Sequence, residues 1–117
     1  MWIQVKPEDA SIYSLAALTA KTGDEFAMFA KNDVKIIIRG ASNKPWIVPD
    51  DLLRRIFDEK LRWTGHSHPT TVNLEASVED RETLHKLTWQ KKSAVIDLNG
   101  DVKEFTPNVA ADTWRTN

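Results

Sequence analysis

The pattern of apolar and polar residues predicts three helices, because apolar residues recur every three or four positions in three segments of the chain. The first helix is expected to start near Pro7 and to stop at Gly23, since proline suits a helix start and glycine a helix end. The second starts at 49–51 and the third at Ser77. The residues of the second helix that are expected to face the core are Leu52, Leu53, Ile56 and Phe57.

Segments rich in β-branched and aromatic residues predict strands between these helices. The expected strands cover 1–5, 25–30, 34–39, 46–48 and 61–68, with a turn at 40–44. Two further strands, 93–98 and 102–105, flank Asn99-Gly100, a dipeptide typical of a tight hairpin turn. We therefore predict an α/β fold with a mixed sheet flanked by helices, followed after Pro107 by a loose polar tail.

Length and composition are those of one ordinary globular domain. The 117 residues are 41% hydrophobic and 28% charged, which is enough apolar material for one core. Lys and Arg number 16 against 17 Asp and Glu, so no overall positive field attracts phosphate, and no nucleic-acid partner is predicted. The sequence has no cysteine, so any metal ion must be bound by His, Asp or Glu.

No segment has the pattern of a membrane span or a signal peptide. The longest aliphatic run, Ile36-Ile37-Ile38, is far shorter than the ~20 apolar residues that a spanning helix needs. Residues 1–7 lack the apolar stretch of a secretion signal. We expect a soluble domain without a membrane partner, either cytoplasmic or delivered as part of a larger secreted protein.

Two histidines near the end of the predicted strand 61–68 are the first candidates for chemistry. Residues two apart on a strand point to the same side, so His66 and His68 are expected to project together. Trp63 is expected to face the other side of the sheet and to pack in the core. Pro69 ends the strand and leaves the pair accessible, so that two imidazoles can bind one metal ion.

A carboxylate can complete this candidate site. Asp80 lies one helical turn after Ser77 and can supply a third ligand, with water in the fourth position of a zinc ion. The same residues have structural explanations, because His-x-His is frequent by chance and Ser77 with Asp80 resembles a capping box. The two interpretations are compatible, since a cap can also hold Asp80 in place. His85 is interpreted as a surface or packing residue.

The order of these residues resembles a known motif. Glu25, then 66–69 (His-Ser-His-Pro), then Ser77-x-x-Asp80 is similar to the motif of the JAMM (MPN-plus) metallopeptidases. Segment 22–29 resembles the family's Glu-bearing strand, 62–69 its histidine strand, and 77–81 the start of its second principal helix. The resemblance implies a JAMM/MPN-like, cytidine-deaminase-like domain with a curved mixed sheet over 1–106, and a C-terminal tail over 107–117.

The resemblance also implies a function and a set of site residues. The chain would be a zinc-dependent metallohydrolase, a peptidase or isopeptidase that cleaves an amide bond in a protein or peptide substrate. Zn²⁺ is assigned to His66, His68 and Asp80, the general-base role to Glu25, and stabilisation of the oxyanion to Ser77. The insertions that shape the substrate groove of ubiquitin-cleaving relatives are missing, so ubiquitin specificity is not implied.

Two alternatives stay open at the level of sequence. The short form and residues 91–105 resemble JAMM-like C-terminal domains of bacterial polymorphic toxins, and an immunity protein would then cover the site. A non-catalytic MPN-like binding module would instead hold no metal. Trp46 and Trp114 are expected to be exposed and available to a partner.

Overall fold

The computed structural model describes residues 1–40, 47–70 and 74–113. Most of the predicted turn 40–44, and both Trp46 and Trp114, lie outside the described residues. Within them the strands are β1 (Trp2–Val5), β2 (Phe26–Lys31), β3 (Val34–Arg39), β4 (Arg62–Ser67), β5 (Ser93–Ile96) and β6 (Val102–Phe105). The helices are α1 (Ile12–Thr22), α2 (Asp50–Glu59), α3 (Val78–Lys86) and α4 (Val109–Thr113), and a 3₁₀ turn covers Pro7–Asp9.

The described strands form one six-stranded sheet in the order β1-β3-β2-β4-β5-β6. Every neighbouring pair is antiparallel except β4 and β5, which run parallel, so the sheet is mixed. The crossover between these two parallel strands contains α3, as a parallel connection requires. The predicted α/β fold with a mixed, helix-flanked sheet is thus confirmed, and so is the pairing of β5 and β6 as a hairpin. The tight two-residue turn is wrong, because β5 ends at Ile96 and residues 97–101 connect the two strands.

Helix α1 starts and stops at recognisable signals. Gly23 has a φ of 79°, a left-handed conformation that glycine adopts without a steric cost, and its N–H donates to the Thr19 carbonyl at 2.7 Å. At the other end Ser11 caps the helix, so α1 begins at Ile12 and not near Pro7 as predicted. The predicted end at Gly23 is confirmed.

Apolar side chains pack on both faces of the sheet. On one face α1 contributes Leu15 and Ala16 to a cluster that also contains Met28 and Ile96. On the other face the larger cluster includes residues of α2, α3 and the sheet, namely Phe29, Ile36, Ile38, Leu52, Ile56, Trp63, Leu84 and Phe105. Strand β4, which contains His66, therefore lies in the middle layer of a three-layer arrangement, and helices cover both faces of the sheet.

Three further predictions about local structure are wrong. On α2, Leu52 and Ile56 are buried, but Leu53 and Phe57 are each 42% exposed, because the apolar stripe of α2 extends beyond the core cluster to a groove between α2 and α3. Ile47 and Val48 form no strand, since Val48 packs against the core without pairing with the sheet. The tail predicted to be loose contains α4.

The short helix α4 is held by a polar contact with α3. Arg81 donates to an Asp112 carboxylate oxygen at 2.7 Å and to the Thr106 carbonyl at 2.8 Å. The other Asp112 oxygen accepts from the Thr106 N–H at 2.6 Å and from the Thr106 hydroxyl at 2.7 Å. None of the described helices is both long and apolar enough to span a bilayer.

Candidate metal centre

Strand β4 carries His66 between two neighbouring strands, and His68 follows directly after its end. His66 lies opposite Ala27 of β2 on one side and Val95 of β5 on the other, and the His68 N–H donates to the Ile96 carbonyl at 2.9 Å. Gly65 directly precedes His66, at a point where α1 and β5 leave no room for a side chain. His66 is therefore fixed to the centre of the sheet, and His68, the first residue after β4, is tied to β5 through its backbone N–H.

An irregularity in β4 changes which side chains share a face with His66. Met28 pairs with Gly65 but the next residue of β2, Phe29, pairs with Trp63, so Thr64 is an extra residue in β4. Such a bulge shifts the alternation of side chains by one position. The Trp63 ring consequently stacks on the His66 ring, with centroids 5.1 Å apart and planes 23° apart.

The prediction that Trp63 faces away from the histidines is thus wrong, although it is buried in the core as expected. Regular alternation holds only in the part of the strand that follows the bulge. There His66 and His68 do project together, with ring centroids 4.9 Å apart.

Three ligand atoms from β4 and α3 come together at the end of the strand. Nε2 of His66 lies 3.1 Å from Nε2 of His68 and 3.0 Å from Oδ2 of Asp80, and the remaining distance, His68 Nε2 to Asp80 Oδ2, is 3.9 Å. The His66 side chain is 1% exposed, whereas those of His68 and Asp80 are 12% and 14% exposed. The group is mostly buried, and the part that solvent reaches belongs to His68 and Asp80.

The spacing of these atoms fits a metal ion. A triangle with sides of 3.1, 3.0 and 3.9 Å has a circumscribed radius of about 2.0 Å, which matches the 2.0–2.2 Å that zinc requires to nitrogen and oxygen ligands. Hydrogen bonding alone explains the geometry less well, because Nε2 of His66 carries at most one proton and cannot make a full hydrogen bond to both neighbours with it. His66, His68 and Asp80 could therefore hold a metal ion.

Asp80 is oriented by the start of α3. The Ser77 N–H donates to Oδ2 of Asp80 at 2.9 Å, and the Asp80 N–H donates to the Ser77 hydroxyl oxygen at 3.0 Å. The predicted capping box is confirmed, and the oxygen that it holds is the same one that faces His66. Burial raises the pKa of Asp80, but hydrogen bonds from His66 and Ser77 outweigh it and leave the pKa below its ordinary value.

Glu25 lies beside this group, directly before β2. It is two residues from Ala27, which pairs with His66, so Glu25 and His66 share a face of the sheet. The carboxyl group is half-buried, and burial raises its pKa. The charge of His66 lowers the pKa of Glu25 and the charge of Asp80 raises it, and the net effect is a rise. Glu25 is therefore within electrostatic reach of both residues.

Ser77 lies at the exposed N-terminus of α3, one turn from Asp80. Its oxygen accepts the cap hydrogen bond, and a hydroxyl that accepts one bond can still donate its proton elsewhere. Of the five predicted site residues, His66, His68 and Asp80 are in contact with one another. Glu25 interacts electrostatically with His66 and Asp80, and Ser77 is linked to the group through its hydrogen bonds with Asp80.

Sequence reasoning missed the role of Ser67, which lies between the two histidines. Its hydroxyl is 2.6 Å from the Thr19 hydroxyl of α1 and accepts the Phe26 N–H at 2.9 Å. Ser67 therefore joins α1, β2 and β4 directly behind the candidate site. The available signal was Thr19 itself, a polar residue at an apolar position of the first helix.

No protein-family model matches the chain, and no curated protein matches it.

Proposed function

We propose that this protein is a metal-dependent hydrolase that cleaves amide bonds in protein or peptide substrates, with zinc held by His66, His68 and Asp80. The observation that carries the proposal is the convergence of the three ligand atoms on one point, with the Glu25 carboxyl group within electrostatic reach of His66 and Asp80. A half-buried base next to a three-ligand site that solvent reaches is the arrangement that metal-assisted hydrolysis needs.

We further propose that the architecture is JAMM/MPN-like. The supporting observation is the order of the parts: a glutamate directly before the strand that follows α1, histidines at the end of β4, a capped aspartate at the start of α3, and a closing hairpin. The setting as a toxin with an immunity protein stays a prediction from the resemblance.

The chemistry divides between the ion and the side chains. Bound zinc would supply Lewis acidity, lowering the pKa of a water toward about 7 and polarising the substrate carbonyl. The Glu25 carboxylate accepts a proton from the attacking water, whose oxygen bonds to the carbonyl carbon. As the C–N bond breaks, Glu25 passes that proton to the leaving amine, and the Ser77 hydroxyl donates to the oxygen that becomes negative.

The first test measures metal and turnover on the same preparations. Metal content is determined by mass spectrometry after zinc loading and dialysis, and cleavage is followed on a proteome-derived peptide library and on lysine-branched isopeptides. Glu25→Gln should keep its zinc and lose at least about 100-fold in rate, as expected for removal of a general base. Glu82→Gln, which changes an exposed glutamate of α3, is the matched control and should behave as wild type.

Ligand variants complete the test. His68→Ala and Asp80→Asn should fold and lose zinc, whereas His85→Ala, which removes an exposed histidine of α3, should retain one zinc per chain. A folded wild-type protein that binds no divalent metal would favour the non-catalytic binding module. Full activity of Glu25→Gln would reject the proposed base.

A further inference from the structure

A groove between α2 and α3 opens directly beside Asp80. Its volume is about 350 Å³, within the range of ligand sites in proteins. The walls are formed mainly by apolar side chains, including Phe29, Leu53, Ile56, Phe57 and Leu87. Asp80 also lines the groove, so the apolar walls and the candidate metal centre share this residue.

Two of these residues show that the surface is not ordinary core. Leu53 and Phe57 lie one turn apart on α2, and each leaves 42% of its surface exposed although both belong to the apolar stripe of the helix. Large apolar side chains grouped at a concave surface are typical of a binding site. Here the exposed surfaces of Leu53 and Phe57 line the same groove as Asp80, a ligand of the proposed metal centre.

The charges at the groove indicate what it can bind. Glu79 and Lys86 of α3 contribute one charge of each sign, and Asp80 is directed toward His66. Among the described residues, the charges of Glu79 and Lys86 oppose each other and that of Asp80 faces the other metal ligands, so neither sign of charge in the substrate is favoured. An uncharged, bulky group gains the most binding free energy here, because it removes the apolar walls of the groove from water.

Building on the proposed function, we infer that this groove binds a large apolar side chain of the substrate, leucine- or phenylalanine-like, next to the amide bond that is cleaved. Because Asp80 lines the groove, a substrate side chain bound there lies close to the metal ligands. The apolar residue of the substrate would therefore be adjacent to the amide bond that is cleaved. Leu53, Phe57 and Thr83 would then determine specificity, and Glu25 would remain responsible for turnover.

The first experiment needs no metal and no turnover. Metal-free protein labelled with ¹⁵N is titrated with the N-acetyl amides of leucine, phenylalanine, alanine and glutamate. The leucine and phenylalanine derivatives should shift the amide signals of Phe57, Thr83 and Leu87, and the alanine and glutamate derivatives should not. Shifts that are absent, or equal for all four compounds, would overturn the inference.

The second experiment reads the residues that flank each cleavage site in the peptide library. Wild type should enrich large apolar residues at one position, and Leu53→Asp should lower kcat/KM for those peptides roughly 10-fold or more while zinc content stays at one per chain. Tyr13→Asp, at an exposed residue of α1 on the other face of the sheet, is the matched control and should change neither quantity.

The two proposals fail in different ways. If the zinc-loaded protein cleaves peptides without an apolar preference, or if Leu53→Asp leaves kcat/KM unchanged, the proposed role of the groove is overturned and the proposed hydrolase activity stands. Absence of zinc and of cleavage removes the hydrolase, and the titration of the metal-free protein then decides alone whether the groove binds apolar side chains.

Discussion

A methyl group added at Gly65 tests how tightly the histidine strand is enclosed. A Cβ at this position would lie 2.7 Å from Cδ1 of Ile12 and 2.8 Å from the Ala94 carbonyl oxygen. Both distances are well below the roughly 3.5 Å of a normal carbon contact. The Ile12 side chain can rotate away, whereas the Ala94 carbonyl belongs to β5 and moves only with its strand.

The expected cost follows from these two contacts. Overpacking of a filled core typically costs about 1–3 kcal/mol, and the smaller entropy of the unfolded alanine chain returns about 0.4–1 kcal/mol. Gly65→Ala should therefore lower the free energy of unfolding by about 1–2 kcal/mol. Since β5 also pairs with His66, its displacement should weaken zinc binding, by about 10-fold on the scale of supporting residues at metal sites.

Urea unfolding of the metal-free protein measures the first quantity, and zinc titration measures the second. A double-mutant cycle with Ile12→Ala separates the two contacts. The methyl group should cost less when Ile12 is shortened, yet still cost something because the Ala94 carbonyl remains. A Gly65→Ala protein within 0.5 kcal/mol of wild type, about the error of such a cycle, would refute the tight enclosure.

Other substitutions test the supports of the site. Ser77→Ala removes the acceptor of the Asp80 N–H and should cost about 1 kcal/mol by denaturant unfolding, with weaker zinc binding in the same protein. Asp112→Asn breaks the ion pair with Arg81 and should cost about 1–3 kcal/mol, whereas Asp9→Asn at an exposed site should be neutral. Burial raises the pKa of Asp112, but hydrogen bonds from Thr106 and Arg81 leave the pKa below its ordinary value. The stability difference between wild type and Asp112→Asn should thus be full at neutral pH and vanish as the pH falls through that lowered pKa, and a difference that grows with acid would contradict the pairing.

Much of the fold could be predicted from local signals. The β-branched run of β3, the glycine that ends α1 and the Asn99-Gly100 turn each act within a few residues, so the sequence alone indicates them. The proximity of the two histidines follows in the same way from the period of a strand, and the capping box from the spacing of Ser77 and Asp80.

The remaining features depend on contacts that are distant in sequence. The bulge at Thr64 exists because β4 must match β2, and no local pattern shows that it turns Trp63 toward His66. Likewise α4 depends on an ion pair between Arg81 and Asp112, 31 positions apart. The exposure of Leu53 also depends on the position of α3. The apolar stripe of α2 would read the same in the sequence if it faced a packed core, so the groove could not be predicted from it.

The central claim is that His66, His68 and Asp80 bind one metal ion together, and X-ray absorption of the zinc-loaded protein tests it most directly. We expect one zinc per chain, with two imidazole nitrogens and light oxygen neighbours at about 2.0–2.2 Å, and no such bound zinc in His68→Ala prepared in the same way. A spectrum without imidazole scattering, or one that His68→Ala leaves unchanged, would contradict the account.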